Sequence, residues 1–406
     1  MSESITGIRG ASGWAEMPLS NVTELLRRGT APLYVSNSRV RVIGQRCVQS
    51  SGFHAEVARP HDPAVTSRSL IAEQGDVLLN STGRGTIGRS CLFDAEEVFA
   101  VDSHVTVLRA KRDLVDPRWI DLVLRSPRGQ SYLESHCFVG STNQVELSRG
   151  ELADMRIPVP PLVEQRKIVD AIDAVSAQEH AIDKEIAKLR SVRQGILLAS
   201  MESVSGSHMP TGWTRIPLRE VVPLVEYGIS EAFDQDPRGL PVLRMNNLRD
   251  GKAELSELRY SPTPVPRRLE LRYGDVLFNR TNSIEHIGKS GLWRDELVRA
   301  TYASYLVRIN PEPSRLIPEY LVEWLMHPVI RQRVRSISTV AVQQVNVNPS
   351  RLRELDIDMP VSLGEQRRLI DSLGSCDRQI DQGRVELTKL RKLKRGIVDN
   401  FLSWRA

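Results

Sequence analysis

Short polar runs follow the same hexapeptide in both halves of this 406-residue chain, and their side chains could contact DNA bases. Gly-Asp-Val-Leu-Leu-Asn at 75–80 returns as Gly-Asp-Val-Leu-Phe-Asn at 274–279, and the runs that follow occupy 81–84 and 280–282. In the major groove Arg pairs bidentately with guanine, and Asn or Gln pairs with adenine. The runs therefore predict base contacts, although a solvated loop or a capping role accounts equally well for any one residue.

Two further segments have the same character. Ser-Thr-Asn-Gln at 141–144 matches Gln-Gln-Val-Asn at 343–346, and Arg-Met-Asn-Asn at 244–247 occurs in the second half only. Arginines at 331, 333 and 335 would suit phosphate positioning. The candidate DNA-binding residues are Asn80, Ser81, Thr82, Arg84, Asn143, Gln144, Arg244, Asn246, Asn247, Asn279, Arg280, Thr281, Asn282, Gln343, Gln344 and Asn346.

Motifs for catalysis or for a cofactor are incomplete. Gly-Arg-Gly-Thr-Ile-Gly at 83–88 has dinucleotide-site spacing, but the residues after it read as a strand where a helix is needed to hold a pyrophosphate. Gly-Lys-Ser at 288–290 lacks the earlier glycine of a P-loop, and Asn-Pro-Ser-Arg at 348–351 lacks the second proline and the aromatic of an amino-methyltransferase motif. No catalytic residue, metal site or cofactor site is predicted, and the glycines at 83–88 are expected to shape a turn.

The composition permits DNA binding without requiring it. Lys and Arg number 55 against 50 Asp and Glu, a formal net charge of +5. Four dispersed cysteines with no Cys-x-x-Cys indicate buried thiols in a reducing cytoplasm. The N-terminus has no signal-peptide pattern, and no apolar run approaches the roughly 20 residues that span a bilayer.

The elements that must position these residues form an internal repeat. Short strands are predicted at 77–80, 98–101, 105–109, 276–279 and 305–309, and helices at 117–137 and 318–336. Between them, segments 27–70 and 226–268 share little sequence. Each half therefore reads as a mixed α and β domain, and a repeat of this kind is made to engage something in two places.

A long heptad pattern follows each domain, and the two patterns superpose at an offset of 201 residues. They predict two long helices that pack on one another, with a flexible linker at 203–210. Superposition sets Glu179 against Ile380 and Gly383 against Ile182, which suggests complementary seams. The seam positions are Ile168, Ile172, Val175, Glu179, Ile182, Ile186, Leu189, Arg193 and Ile196, and then Leu369, Leu373, Cys376, Ile380, Gly383, Leu387, Leu390, Lys394, Ile397 and Phe401.

Taken together, these motifs resemble the specificity subunits of Type I restriction–modification systems over nearly the whole chain. The resemblance rests on Gly-Trp at 13–14 and 212–213, the repeated hexapeptide, and Ile-Gly-Arg/Lys-Ser at 87–90 and 287–290. Its strongest element runs from Ile157 to Ile168 and contains Glu-Gln-Arg at 164–166. The second copy, with Glu-Gln-Arg at 365–367, has one extra residue and lacks the second proline.

The resemblance implies an α+β fold with an internal two-fold pseudo-repeat. Two target recognition domains, at 1–160 and 205–360, would be separated by two long antiparallel coiled-coil helices at 161–204 and 361–406. The chain would be non-catalytic and would read a bipartite double-stranded DNA target.

The same resemblance implies the partners and their cofactors. Two methyltransferase subunits would use S-adenosylmethionine to methylate adenine N6, and restriction subunits using ATP with Mg²⁺ could join. Two other classes stay open: a self-contained DNA methyltransferase, and a coiled-coil adaptor with no DNA role.

Overall fold

A computed structural model of the chain describes residues 14–141, 144–206, 208–341 and 344–402. The chain divides into two compact units. The N-terminal unit comprises Met1–Asp183 with Val385–Ala406, and the C-terminal unit comprises Lys184–Arg384. Each unit thus contains one mixed α/β body and a part of each long helix.

Antiparallel pairing dominates the strands of the N-terminal unit. Its largest sheet has four strands, in the order Thr23–Arg28, Val105–Ala110, Val77–Asn80 and Ser90–Leu92. The smaller sheets are Arg59–Pro60 with Arg41–Ile43 and Phe99–Val101, Ala15–Pro18 with Arg156–Val159, Val48–Gln49 with Gly52–Phe53, and the hairpin Phe138–Ser141 with Gln144–Leu147.

Short helices cover these sheets and bury Trp119 completely. The α-helices are Leu19–Val22, Pro117–Arg125, Pro127–Tyr132 and Arg149–Asp154, with a π-helical turn at Leu133–Cys137. Turns of 3₁₀ helix occur at Gln45–Cys47, Ala55–Val57 and Pro63–Arg68.

The C-terminal unit has a six-stranded main sheet. Its order is Glu226–Tyr227, Leu306–Arg308, Val276–Asn279, Ser290–Leu292, Gly251–Ala253 and Leu248–Arg249. The remaining sheets are Arg259–Ser261 with Leu240–Leu243 and Thr301–Tyr302, Thr281–Asn282 with Gln344–Asn346 and Thr339–Ala341, and Trp213–Pro217 with Asp356–Pro360. The short helices are Glu202–Ser205, Leu218–Glu220, Arg267–Leu269, Pro318–Met326, Pro328–Ser336 and Pro349–Arg353.

The repeated Gly-Asp of the hexapeptide shapes the entry to the central strand. Gly75 and Gly274 have φ of +89° and +87°, values that L side chains rarely adopt. The buried Asp76 carboxylate accepts from Arg109 at 2.9 Å on the neighbouring antiparallel strand. Asp275 accepts from Arg308 at 2.8 Å in the same way. The Gly-Asp pair therefore has a structural role in both units.

Several predictions from the sequence are confirmed. Strands Val77–Asn80 and Val276–Asn279 match to the residue. The four cysteines are free and buried.

Segments 27–70 and 226–268, although divergent in sequence, have the same strand pairing in the two units. Arg41–Ile43 pairs antiparallel with Arg59–Pro60 and parallel with Phe99–Val101, and Leu240–Leu243 pairs likewise with Arg259–Ser261 and Thr301–Tyr302.

Two predictions are wrong. The helices expected at 117–137 and 318–336 are interrupted, because Pro127 and Pro328 each begin a new helix after an extended residue. The expected linker at 203–210 contains the short helix Glu202–Ser205, in which Val204 is buried and its carbonyl accepts from Arg333 Nη2 at 2.8 Å.

The two long helices span Leu162–Ser200 and Leu363–Leu402. Every predicted seam position is buried or half-buried. In the N-terminal unit the helices run antiparallel, with Glu179 paired to Lys394 at 3.2 Å and Asp183 to Arg391 at 3.4 Å. The partner of Glu179 is thus Lys394, not Ile380, because antiparallel helices do not bring equivalent positions together.

The polar seam position of the C-terminal unit also has charged partners. The Arg193 guanidinium contacts the carboxylates of Asp377 at 2.7 Å and Glu323 at 2.5 Å. Burial raises the pKa of the Glu323 carboxyl, which Arg193 opposes. This triad joins both long helices to Pro318–Met326 within the unit.

One buried glutamine fastens each α/β body to its long helix. The Gln165 side-chain amide donates to the carbonyls of Pro160 at 2.7 Å and Leu114 at 3.1 Å, and its oxygen accepts from Asp116 N at 2.9 Å. All of these atoms are in the N-terminal unit. The repeated Glu-Gln-Arg motif therefore has a physical basis in its central residue.

Gln366 makes the same three bonds in the C-terminal unit. Its amide donates to Pro360 at 2.8 Å and Arg315 at 2.9 Å, and its oxygen accepts from Ile317 N at 3.0 Å. Both glutamines are fully buried. The second copy keeps this contact despite its extra residue.

Replacing Gln366 with Leu should lower the free energy of unfolding by about 3 kcal/mol or more, because buried backbone groups lose their partners at about 1–3 kcal/mol each. Urea denaturation followed by circular dichroism measures the change. The control is Gln382→Leu on the exposed side of the same helix, which should change stability by less than about 0.5 kcal/mol. Equal effects of the two variants would contradict the proposed structural role.

Replacing both Glu179 and Lys394 with Leu should leave stability unchanged or higher, because an apolar pair avoids the desolvation of a largely buried ion pair. Lys394→Leu alone should destabilise by about 2 kcal/mol, since the Glu179 side chain is only 13% exposed and would lose its cation. Thermal melts of the two single variants and the double variant complete the cycle. A double variant less stable than the unmodified protein would contradict this prediction.

Candidate nucleic-acid interface

The asparagine that ends each central strand holds a neighbouring loop. Asn80 Nδ2 donates to the carbonyls of Gln45 and Val48, both at 3.2 Å, and Asn279 Nδ2 donates to that of Met245 at 3.2 Å. Both side chains are fully buried. In this structure Asn80 and Asn279 hold the loop that covers the strand end, and a contact of either side chain with DNA stays a prediction.

Ser81 and Asn247 are buried as well. Ser81 Oγ hydrogen bonds to Thr106 Oγ1 at 2.5 Å. Asn247 accepts from Arg244 N at 3.0 Å and donates to the carbonyls of Glu254 and Ser256, both at 2.8 Å. Neither side chain reaches the surface in this structure, so each shapes its loop and does not present a base-reading group.

The turn after strand Val77–Asn80 carries exposed polar groups. Thr82 Oγ1 hydrogen bonds to Gln45 and, at 2.8 Å, to His104 Nδ1. Arg84 at the turn's tip is exposed. Gly83 has φ +94°, which confirms a turn, and strand Ser90–Leu92 follows it. The helix that a dinucleotide site needs is absent from this described segment.

Two arginines hold the matching turn of the C-terminal unit; Arg331 is half-buried and Arg335 is exposed. Arg331 Nη2 donates to the Glu285 carbonyl at 3.1 Å, and Arg335 donates to the same oxygen at 3.5 Å. Burial and then the proximity of Arg335 lower the pKa of Arg331. Asn282 accepts from Ser283 N at 2.8 Å, an arrangement that shapes the turn.

Arg244 and Asn246 lie on the loop that covers Asn279. Arg244 Nη2 donates to the Glu257 carbonyl at 2.8 Å, and burial followed by the nearby Arg259 lowers its pKa. Asn246 is exposed. Of this loop's candidates, Asn246 is thus the one with an open side chain.

The last polar segments form a hairpin edge beside the turns. Thr281 pairs with Asn346 in the C-terminal unit, and Thr82 bridges to Glu146 in the N-terminal unit. Gln344 is exposed, whereas the Thr281 side chain is buried. Asn143 and Gln343 lie outside the described residues, and only the backbone of Gln144 is described.

Arg280 and Asn346 meet at this edge. Arg280 Nη2 donates to Asn346 Oδ1 at 2.8 Å, and the guanidinium carbon lies 5.2 Å from the ring centroid of Tyr227. The Tyr227 side chain is exposed. Stacking on an aromatic ring together with a hydrogen bond restricts the orientation of the guanidinium.

The corresponding place in the N-terminal unit holds an ion pair. Arg28 Nη1 contacts Glu146 Oε2 at 3.1 Å, and Arg28 Nη2 donates to the Leu147 carbonyl at 2.7 Å. Sequence reasoning missed Arg28, Glu146 and Tyr227. The basic pair at 27–28 was the available signal, but it lies where the two halves align poorly.

The described residues offer no sign of other chemistry. Within 14–141, 144–206, 208–341 and 344–402, no group of three or more His, Cys, Asp or Glu side chains could hold a metal ion. In the same ranges, no helix has the length and apolar character to cross a bilayer. The candidate site is the polar strand-end surface formed by the turns and hairpin edges described above.

Comparison with known families gives a match in the first part of the chain. Residues 12–189 match the family model of the Type I restriction modification DNA specificity domain. A putative MjaX Type I specificity subunit of Methanocaldococcus jannaschii is 26% identical over 198 residues, covering 48% of this chain and 46% of the relative.

Two Escherichia coli proteins extend the likeness. The EcoBI specificity subunit is 25% identical over 256 residues, covering 55% of this chain and 52% of the relative. The EcoKI specificity subunit of strain K12 is 21% identical over 370 residues, covering 86% and 79%. The chain spans about half the length of the first two relatives and more of the third.

Solved structures agree in fold. The Type I restriction–modification S subunit from M. genitalium aligns with a TM-score of 0.62 at 12% identity, covering 97% of both chains. A chain from a study of complex assembly and conformational transition in the type I system aligns with a TM-score of 0.55 at 19% identity, covering 97% of this chain and 98% of that one. Residues 12–189 thus match the Type I restriction modification DNA specificity domain, and the chain is similar in fold to these two solved structures.

Proposed function

We propose that this chain is the non-catalytic specificity subunit of a Type I restriction–modification complex. It reads a bipartite DNA target, with one half-site for each α/β body. The observation that carries the proposal is a strand-end frame built twice with different side chains. A single protein that reads two unlike half-sites needs this combination of constant backbone and variable surface.

The backbone frame is the same in both units. Leu147 N donates to the Ser81 carbonyl, and Val347 N donates to the Arg280 carbonyl, both at 2.8 Å. Side chains at matching places differ in charge and size, as Ser81 and Arg280 do. The two surfaces are thus suited to different base sequences.

In this proposal the partner subunits catalyse methylation and restriction, and this chain does not. Two methyltransferase subunits bound through the long helices would carry S-adenosylmethionine and methylate adenine N6. Restriction subunits using ATP with Mg²⁺ would join the same complex. This chain would hold the DNA in register while the methyltransferase extrudes its target adenine, a step that costs a few kcal/mol.

The alternative function, a self-contained methyltransferase, would need Asn-Pro-Ser-Arg at 348–351 as its catalytic motif. Asn348 Oδ1 accepts from Ser350 N at 2.8 Å, and Pro349 opens the helix Pro349–Arg353. Asn-Pro at this place is therefore a helix cap. Incubating the purified chain alone with S-adenosylmethionine and DNA tests the rival, and methyl transfer without a partner would revive it.

Deleting the gene from its host should abolish methylation at one bipartite motif. Long-read sequencing that detects N6-methyladenine measures this before and after deletion, and complementation with the intact gene should restore the motif. An unchanged methylome in a host that expresses the partner subunits would contradict the proposal.

Affinity of the purified complex for its target duplex should fall by about 100-fold or more between 50 and 300 mM salt, because phosphate contacts release counterions. Mobility-shift titrations measure it. Affinity that does not change over this range would contradict a phosphate-dominated interface. A complex that binds no DNA at low salt would favour the adaptor alternative.

A further inference from the structure

We infer that the two strand-end surfaces read bases of opposite hydrogen-bond character. The Arg280–Asn346 pair reads a guanine in one half-site, and Glu146 reads a base with an exocyclic amino group in the other. The inference rests on the proposed function and adds which residues determine specificity and what chemistry they recognise.

The two places are equivalent by backbone pairing. Thr82 bridges antiparallel to Glu146, and Thr281 pairs antiparallel with Asn346. A third side chain reaches the same place from the edge strand of the main sheet. It is Arg28 in the N-terminal unit and Tyr227 in the C-terminal unit, paired in register with Thr106 and Val307.

The free groups of the C-terminal unit's pair are donors. Arg280 uses Nη2 on Asn346 Oδ1, so the acceptor of the amide is occupied. Among the described residues, no acceptor bonds to Arg280 Nη1 or Asn346 Nδ2. A group of donors matches the two adjacent acceptors of guanine, O6 and N7, in the major groove.

The Arg280 guanidinium is also pre-oriented. It lies over the Tyr227 ring, and its Nε is buried without a partner. A fork held between an aromatic face and an amide loses little freedom when it binds, which favours bidentate recognition of a single base edge. A lysine here would supply the positive charge but not the two parallel N–H donors of a guanidinium.

The free group of the N-terminal unit's pair is an acceptor. Arg28 holds one carboxylate oxygen of Glu146, whose side chain is 57% exposed. Among the described residues, the other oxygen, Oε1, has no donor. An open carboxylate oxygen accepts from the N4 amino group of cytosine or the N6 amino group of adenine, and it repels the acceptors of guanine.

The test maps N6-methyladenine in hosts that carry Arg280→Gln, Glu146→Gln or the control Arg299→Gln. Arg299 pairs with Glu270 and lies outside both strand-end surfaces. Arg280→Gln should relax or shift one guanine of one half-site, losing roughly 5- to 150-fold discrimination. Glu146→Gln should relax one cytosine or adenine of the other half-site, and the motif shows which. The control should keep the intact motif.

The outcomes separate this inference from the proposed function. If deleting the gene removes no motif, the proposed function fails. If deletion removes a motif but Arg280→Gln keeps it unchanged, or alters a position that is not guanine, only the present inference is overturned. A Glu146→Gln change in the same half-site as Arg280→Gln also overturns it.

If Arg280→Gln abolishes methylation altogether, the purified complex carrying Arg280→Lys is tested instead. Thermal melts confirm folding, and competition binding compares duplexes that carry each of the four bases at each position of the half-site. Loss of preference for guanine at one position supports the inference. Preference for guanine kept at every position overturns it.

Discussion

The fully buried glutamine that begins each long helix is the contact on which the architecture depends. Gln165 and Gln366 each bond to one carbonyl just before their own long helix, and to one carbonyl and one backbone N–H of the loop that leads into Pro117–Arg125 or Pro318–Met326. A buried amide with all of these partners in place is rigid, since any movement of the helix start breaks several bonds at once. The position of the recognition surface in each unit is thereby tied to the helix that follows it.

A second constraint determines which residues are free to vary. The central strand is buried along its whole length, including the asparagine at its end. Asn80 and Asn279 donate to the covering loop, so the proposal places base recognition on the turns and the hairpin edge. Several side chains of these segments, Arg84 and Gln344 among them, are exposed, and exposed side chains can change with little effect on stability. The repeated Gly-Asp and the asparagine at the strand end are therefore structural, and the proposal assigns specificity to the divergent residues beside them.

Sequence patterns predicted the fold better than the site. Apolar runs between Gly-Asp and a polar segment located both central strands, and heptads located every seam position. The pairing of Glu179 with Lys394 was not predicted, because superposing the two copies compares residues that antiparallel packing keeps apart. Asn80 was expected at the surface, but residues 45–48, distant in sequence, cover it. Arg28 and Tyr227 were missed because their segments show no alignment until strand register relates them.

Hydrogen-bond character explains how a duplicated frame can distinguish two sequences. An arginine–amide pair and an arginine-held carboxylate occupy the same backbone position, yet one leaves donors free and the other leaves an acceptor. Under the inference above, each surface would reject the other's base by leaving a polar group unpaired or by placing like groups together, and such mismatches discriminate more strongly than a lost apolar contact. Specificity of this kind requires only a few side-chain changes, while the strand, its aspartate and the helix-anchoring glutamine stay the same.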